Sequence, residues 1–181
     1  MANLAGYPNQ LDAKKVCCRA IIETPKGRRT KFNYDPETEL FKLSRLLPQG
    51  MVFPFDFGFI PSTLGGDGDP LDVLVLLDES AHVGCLVDIR IVGVIEVNQT
   101  EDGKTTQNPR LIAVATHSYT HENVTSIKEL NPTMVEQLER FFIDYNQLQG
   151  KKVKVSGRGG PGRALLIIKE GIKAYEKKQK E

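Results

Sequence analysis

Apolar and polar residues alternate through much of residues 16–115, a period typical of half-buried β-strands. Glycine, proline, asparagine and aspartate separate these runs, as in a small meandering barrel. The pattern predicts strands at 16–24, 30–34, 40–43, 51–57, 73–77, 86–97 and 111–115. Within the 86–97 run, the residues expected on one side of the strand are Ile89, Ile91, Ile95 and Val97.

The last third of the chain changes to a helical period. Asn131 and Pro132 supply an N-cap and a first-turn proline, and Gly150 is placed to end the helix. A second helix is marked by Leu165, Ile168, Ile172 and Tyr175. Strands followed by helices predict an α+β fold with the helices against one side of the barrel. The absence of repeats and linkers favours a single domain over residues 1–181.

Composition narrows the class of protein. Apolar residues make up 40% and charged residues 26%, which is typical of a globular chain and not of a disordered one. No run approaches the roughly 18 apolar residues of a membrane span, so no membrane partner is expected. Three cysteines form no disulfide framework, and the N-terminal residues lack the pattern of a signal peptide. These features predict a cytoplasmic protein.

Charge is unevenly distributed, although the net charge is only +1. Residues 151–181 hold ten Lys or Arg and three Asp or Glu. This basic segment either attracts a phosphate-bearing ligand or forms a solvated helix face, and the second reading is favoured. The glycine-rich stretch from Gly157 to Arg163 could cradle phosphate at a helix start. It matches no nucleotide-binding motif, so a flexible connection is expected.

The chemistry of the chain concentrates in residues 67–72, which read Asp-Gly-Asp-Pro-Leu-Asp. Carboxylates this close repel one another, and a hard divalent cation would remove the conflict. Leu71 and Asp72 stand where a calcium EF-hand loop needs a ligand and a glycine, which excludes that motif. The alternatives are a metal site and an acidic surface turn built from ordinary turn residues.

The segment Asp67-Gly-Asp-Pro-Leu-Asp-Val-Leu-Val75 resembles the signature of the soluble family I inorganic pyrophosphatases. The resemblance extends from about Val16 to Tyr175. Further matching segments follow in the family's order: Ile22–Pro25, Lys31, Arg45, 53–59, Val92–Val94 and Phe141–Tyr145. The family resemblance implies a closed five-stranded OB-like barrel with additional strands and two main helices.

The resemblance also implies an activity: hydrolysis of inorganic pyrophosphate to two phosphates by a metal-activated water. The expected cofactor is Mg²⁺, with Mn²⁺ as a substitute. Asp67 and Asp72 match metal ligands, and Asp69 matches a ligand that also helps to deprotonate the attacking water. Glu23 matches a carboxylate that reaches the metal through water.

Four further residues match positions that bind substrate phosphate: Lys31, Arg45, Arg110 and Tyr145. Arginine offers a planar fork for phosphate oxygens and lysine a compact charge. Taken singly, each of these residues is as easily explained by a surface or core position. A homo-oligomer is also implied by the resemblance.

Several positions depart from the family pattern. Glutamate is expected at Asn33, aspartates at about Gln99 and Asn108, lysines at Arg110 and Asn146, and tyrosines at Phe53 and Phe57. The lost carboxylates predict fewer bound metals and slower hydrolysis of pyrophosphate. Glu101 or Asp102 either replaces a lost ligand or simply forms a hairpin tip.

The phenylalanines at 53, 55, 57 and 59 are expected to share one strand face. Some of them are expected in the core. If Phe53 and Phe57 line the site, it is drier and more apolar than in the family, which would suit a different, organic phosphate or diphosphate. A non-catalytic phosphate-binding relative is the third alternative, which the retained aspartates disfavour. An OB-like barrel permits nucleic-acid binding, but fold alone does not assign function, and no nucleic-acid partner is expected.

Overall fold

The computed structural model of the protein describes residues 3–148 and 150–180. The strands are β1 (Cys17–Thr24), β2 (Thr30–Asp35), β3 (Leu40–Leu46), β4 (Asp56–Ile60), β5 (Leu71–Leu76), β6 (Leu86–Glu101), β7 (Lys104–Gln107), β8 (Arg110–Ala115) and β9 (Lys152–Gly159). The helices are α1 (Pro132–Gln147) and α2 (Pro161–Lys178). Met1 and Ala2 of the N-terminal stretch considered above lie outside the described residues.

Five strands close into a ring in the order β1, β4, β5, β8 and β6, and pairing between β6 and β1 completes it. The β5–β8 pair is parallel, whereas the other pairs of the ring are antiparallel. Strands β7 and β9 extend the far end of β6, and β2 and β3 form a separate hairpin. The predicted α+β fold with a closed five-stranded barrel is therefore confirmed.

The core consists of two apolar layers on the two faces of the ring strands. Val73 and Val75 of β5 join an inner cluster to which all five ring strands contribute. Leu74 and Leu76 point the other way, into an outer cluster. Helix α2 packs on the inner cluster and α1 on the outer one. The prediction that both helices cover one side of the barrel is therefore wrong.

Strand β6 departs from simple alternation. Its pairing with β8 shifts between Ile91 and Gly93, which is the mark of a β-bulge. Ile89 and Ile91 consequently face the inner cluster, while Ile95 and Val97 face the outer one. The prediction that these four residues share one side fails because one extra residue reverses the alternation.

Strand β4 begins five residues later than the predicted 51–57 segment. Pro54 has no N–H for a ladder hydrogen bond, and residues 51–55 form a connection. Phe53 is held in this connection because its N–H donates to the carbonyl of Arg28 at 3.1 Å. Phe53 and Phe55 thus precede the strand, and the four phenylalanines do not share one strand face.

The glycine-rich segment after α1 is ordered as a strand, contrary to the predicted flexible connection. Strand β9 pairs with β6 as far as Gly159, opposite Val94. The basic side chains are paired with acids: Arg158 with Glu139 at 2.6 Å, and Arg163 with Glu96 at 2.8 Å. Both arginines of the segment are therefore paired with acidic residues of the same chain. No helix among the described residues is long and apolar enough to span a membrane.

Candidate active site

All eight residues predicted to carry the chemistry line one cavity of about 860 Å³. The cavity lies among the β2–β3 hairpin, the loop before β5, the β6–β7 hairpin and the C-terminal part of α1. The eight residues are Glu23, Lys31, Arg45, Asp67, Asp69, Asp72, Arg110 and Tyr145. Seven different elements and connections supply them, so only the folded chain brings them together.

One wall of the cavity is cationic. Lys31 of β2 and Arg45 of β3 are directly opposed in the hairpin, and the register shifts immediately after Lys31. Like charges placed opposite each other on a strand pair are destabilising. The Tyr145 ring centroid lies 5.8 Å from Lys31 Nζ and 5.9 Å from Arg45 Cζ, which offsets part of this cost. The paired cations are arranged for an anion.

A second part of the cavity wall is acidic, and a tight turn builds it. Gly65 N–H donates to the carbonyl of Asp69 at 2.7 Å, and Gly68 adopts a φ of +92° that favours glycine. The Asp69 N–H donates to Asp67 Oδ1 at 3.2 Å. Asp72 follows within β5, so two carboxylates come from the turn and one from the barrel.

The oxygen donors of this wall fit a hard divalent cation. Within residues 3–148 and 150–180, no group of three carboxylate, imidazole or thiol side chains already forms a metal-holding cluster. The pKa of Asp67 is raised because the cavity wall desolvates its carboxyl and Asp72 repels its charge. A cation held by Asp67, Asp69 and Asp72 would relieve this repulsion, and Mg²⁺ prefers such oxygen ligands.

Glu23 lies on β1 and is buried. Burial raises its pKa to about 7, and the charges of Asp72 and Asp69 add to the effect. The N–H of Tyr34 donates to Glu23 Oε1 at 2.7 Å, which orients the carboxyl. Glu23 therefore lines the cavity close enough to Asp69 and Asp72 for their charges to act on it.

Arg110, Asn108 and Gln99 form the floor of the cavity, and hydrogen bonds connect them to one another and to the aspartates. Arg110 Nη1 donates to both Asp72 Oδ2 and Asn108 Oδ1. Asn108 Nδ2 in turn donates to Asp67 Oδ2 at 2.7 Å and to Gln99 Oε1 at 3.4 Å. These contacts join Asp67 to Asp72 through the neutral amide of Asn108 and the guanidinium of Arg110.

Unpartnered polar atoms also mark the cavity. Across residues 3–148 and 150–180, the buried side-chain atoms without a hydrogen-bond partner are Asn33 Oδ1, Arg45 Nε and Arg110 Nε. All three residues line this cavity. Because buried polar groups are normally satisfied, their concentration here points to a polar ligand.

Glu101 and Asp102 form the predicted hairpin tip between β6 and β7. Asp102 and Gly103 have φ values of 50° and 77°, as a two-residue hairpin turn requires. Both acidic residues line the cavity, and Glu101 is paired with Lys151 at 2.9 Å. A ligand role for either residue remains a prediction.

Sequence reasoning did not assign three lysines at the cavity: Lys104, Lys151 and Lys178. The general basic character of residues 151–181 was the only signal for two of them. Their placement depends on long-range packing of β9 and α2, which no local spacing reveals.

Phe53 and Phe57 do not contribute to the cavity lining. They are only 1% and 3% exposed, and their ring centroids lie 5.4 Å apart within the outer cluster. The condition for a drier, more apolar site is therefore not met, because Phe53 and Phe57 are core residues. The main support for an organic phosphate substrate disappears with it.

A family model for inorganic pyrophosphatases matches residues 20–176, nearly the whole barrel and both helices. The chain belongs to the inorganic pyrophosphatase family. The inorganic pyrophosphatase of Geobacillus stearothermophilus is 34% identical over 160 residues, covering 88% of this chain and 94% of that protein. The Thermus thermophilus enzyme of the same name is 34% identical over 179 residues, covering 97% and 99%.

Solved pyrophosphatase structures share the architecture. The Thermus thermophilus inorganic pyrophosphatase superposes with a TM-score of 0.88 at 32% identity, covering 97% of this chain and 99% of its own. The Helicobacter pylori inorganic pyrophosphatase gives a TM-score of 0.85 at 31% identity, covering 94% and 98%. The departures at the cavity therefore occur within a fully retained pyrophosphatase fold.

Proposed function

We propose that this chain hydrolyses inorganic pyrophosphate to two phosphates with Mg²⁺ as cofactor and Mn²⁺ as a substitute. One observation carries the proposal: the paired cations Lys31 and Arg45 line the same cavity as Asp67, Asp69 and Asp72. Cleavage of a phosphoanhydride needs cationic support for the phosphates and an activated water, and the two walls provide matching groups. The family membership supports the same activity.

Each residue of the cavity has a role in the proposed reaction that depends on its position. Lys31 and Arg45 bind phosphate oxygens, and Arg45 presents a planar fork. Tyr145, which packs against both cations, donates its hydroxyl to the same phosphate. These groups orient the substrate with its scissile bond toward the acidic wall.

Asp67, Asp69 and Asp72 would hold the divalent cation. When bound, such a cation neutralises phosphate charge and lowers the pKa of a coordinated water. Asp69 accepts a proton from the attacking water, the role that the family resemblance implies for it, and its carboxylate is exposed at the cavity. Glu23 orders water behind the aspartates, and Arg110 supplies positive charge from the floor.

Phosphate release tests this proposal. Pyrophosphate, nucleotides and small phosphate esters should be compared with Mg²⁺ and with a chelator. We expect pyrophosphate to give the highest kcat/KM and the chelator to abolish turnover. A preferred phosphate ester would instead favour an altered substrate, and no release from any compound would favour a non-catalytic phosphate-binding protein.

A matched pair of lysine variants tests whether hydrolysis takes place in this cavity. Lys31→Gln removes a charge from the cavity wall, whereas Lys42→Gln removes an exposed charge from the same hairpin outside the cavity. Lys31→Gln should lower kcat/KM for pyrophosphate by about 100-fold, as expected for a group that stabilises transition-state charge. Equal kcat/KM values for the two variants would place the reaction elsewhere.

The proposed activity also implies a domain organisation, a cellular compartment and an oligomeric state. Residues 1–181 would form one domain that works in the cytoplasm as a homo-oligomer, without nucleic-acid or membrane partners. Family resemblance supports the oligomer, and the cysteine usage supports a reducing compartment. Sedimentation of the purified chain measures the oligomeric state directly.

A further inference from the structure

Strand β2 contributes side chains to two cavities that share no residue. Lys31 and Asn33 line the candidate active site, whereas Thr30 and Phe32 line a second cavity of about 610 Å³. Side chains alternate between the two faces of a strand, so successive residues of β2 reach different cavities. The connections from β1 to β2 and from β5 to β6 supply the other walls of the second cavity. Its size is typical of sites for small molecules.

A buried carboxylate fixes the shape of the second cavity. Asp56 accepts a hydrogen bond from the Lys26 N–H of the first connection at 2.6 Å. It also accepts from the Ser80 hydroxyl and the Ala81 N–H of the second connection, both at 2.7 Å. Asp56 is only 1% exposed and does not itself line the cavity. The two connections are therefore held together before a ligand binds, which reduces the entropic cost of binding.

The charged side chains of the second cavity favour an anion. Lys26 and Arg28 come from the first connection, and His82 comes from the second. No acidic side chain of the described residues lines this cavity, and in that part of the chain neither Lys26 nor Arg28 forms an ion pair. Lys26 Nζ lies 5.5 Å from the ring centroid of Phe55. A lysine and an arginine without carboxylate partners are suited to phosphate oxygens.

The second cavity also has an apolar part. Phe32 is half-buried, and its N–H donates to the hydroxyl oxygen of Thr24 at 3.1 Å, which fixes its backbone. Pro25, Ala81 and Val83 complete the apolar lining. An inorganic phosphate would leave this surface unused. Because a nucleic-acid base stacks readily on an aromatic ring, the combination of cations with a phenylalanine is suited to a nucleotide.

We propose that the second cavity is a binding site for a nucleoside phosphate, with ADP as the representative ligand. Lys26, Arg28 and His82 bind the phosphates, and Phe32 stacks on the base. The site uses neither the aspartates nor the cations of the active site, so binding requires neither a metal nor turnover. The bound nucleotide would lie against the strand that carries Lys31.

Calorimetric titration with ADP in the presence of a chelator tests the inference without turnover. We expect one ADP per chain, with inorganic phosphate and adenosine each binding at least about tenfold more weakly because each makes only part of the contacts. Arg28→Gln should weaken ADP binding about tenfold, the usual effect of losing a hydrogen bond between charged groups. Arg45→Gln removes an arginine of the active site and should leave ADP affinity unchanged. Arg140→Gln is the matched control, since it removes an exposed arginine outside both cavities.

Phe32→Leu tests recognition of the base separately from that of the phosphates. It should weaken ADP binding about fivefold or more, because stacking on the ring is lost, and leave binding of inorganic phosphate unchanged. In the wild-type protein, nuclear Overhauser effects should connect the adenine protons with the Phe32 ring. This measurement does not depend on any variant folding, and circular dichroism checks the fold of each variant.

Four results would overturn the proposal. A greater loss of ADP affinity in Arg45→Gln than in Arg28→Gln would place ADP in the active site. Equal losses in Arg28→Gln and Arg140→Gln would mean non-specific attraction to basic side chains. Inorganic phosphate binding as tightly as ADP would exclude recognition of the base, and absence of ADP binding would exclude the site. Absence of pyrophosphate hydrolysis with intact ADP binding would instead contradict only the proposed function.

Discussion

Gly58 of β4 allows three strands of the barrel to approach closely. It pairs with Ile22 of β1 on one side and with Val73 of β5 on the other. A Cβ at this position would lie 2.0 Å from the carbonyl oxygen of Ile21 and 2.9 Å from the Cα of Ile22. These are backbone atoms, so no side-chain rotation can relieve the overlap.

The cost of Gly58→Ala follows from this geometry. Close carbon–oxygen contacts between strands are normally about 3.3 Å, so β1 and β4 must separate by about 1 Å or more. Overpacking of a close-packed interior costs roughly 1–3 kcal/mol, and weakened ladder hydrogen bonds add to it. A loss of about 3 kcal/mol corresponds to a Tm lower by roughly 6–12 °C for a chain of this length.

Thermal unfolding followed by circular dichroism, at fixed metal concentration, measures this loss. Gly157→Ala is the matched control, because it also lies in a strand but a Cβ there meets nothing within 4 Å. The control should change stability by no more than about 1 kcal/mol. A Tm for Gly58→Ala within about 2 °C of the wild-type value would refute the reasoning, because the barrel would then tolerate the wider spacing.

Three further predictions concern the site and its supporting loops. Asp69→Asn should lower pyrophosphate turnover by roughly 10²–10⁴-fold, the usual contribution of a positioned base, as measured by phosphate release. Arg45→Lys should lower kcat/KM about tenfold or more despite the conserved charge, because the planar fork is lost. Hydrogen bonds from the Thr120 hydroxyl and the Tyr119 N–H hold the pKa of Asp78 at about 2, below its ordinary value of 3.8. This stabilisation is present above pH 3.8 and is lost as the pH falls through 2. Asp78→Asn should therefore unfold at lower urea concentration than the wild type at pH 6, with a difference that closes toward pH 2.

Each of these has an outcome that contradicts it. A folded, metal-binding Asp69→Asn protein with full turnover would remove Asp69 from the chemistry. Wild-type kinetics for Arg45→Lys would mean that the phosphate needs only a charge at that position. A urea difference for Asp78→Asn that is unchanged between pH 6 and pH 2 would show that ionisation of Asp78 does not support the loop.

The pattern of apolar and polar residues was sufficient to predict most strands and helices, because an element buried on one face repeats its apolar residues at a regular spacing. The N-cap at Asn131 and the apolar spacing that follows it located α1, and its side chain does accept from Thr133 N–H at 2.9 Å. The errors occurred where long-range pairing overrides the period. Strand β9 is glycine-rich and exists because β6 is long enough to pair with it.

The sequence predicted which residues belong to the candidate site, but it did not predict the hydrogen bonds among them. The aspartate triplet and the cations share one cavity, as their joint resemblance implied. No spacing indicated that Asn108 and Arg110 would bond to Asp67 and Asp72, since those contacts join segments far apart in the chain. Side-chain networks of this kind depend on tertiary packing, which leaves no period in the sequence.

The length of β6 has a consequence for how this protein can diverge. One continuous strand closes the barrel at its first half and carries the β7 hairpin at its second half. Residues inserted at the tip would extend a hairpin that lines the cavity, without entering the ring of hydrogen bonds that closes the barrel. Sequence changes at residues 101–104 can therefore alter the ligand specificity of the cavity while the barrel stays unchanged.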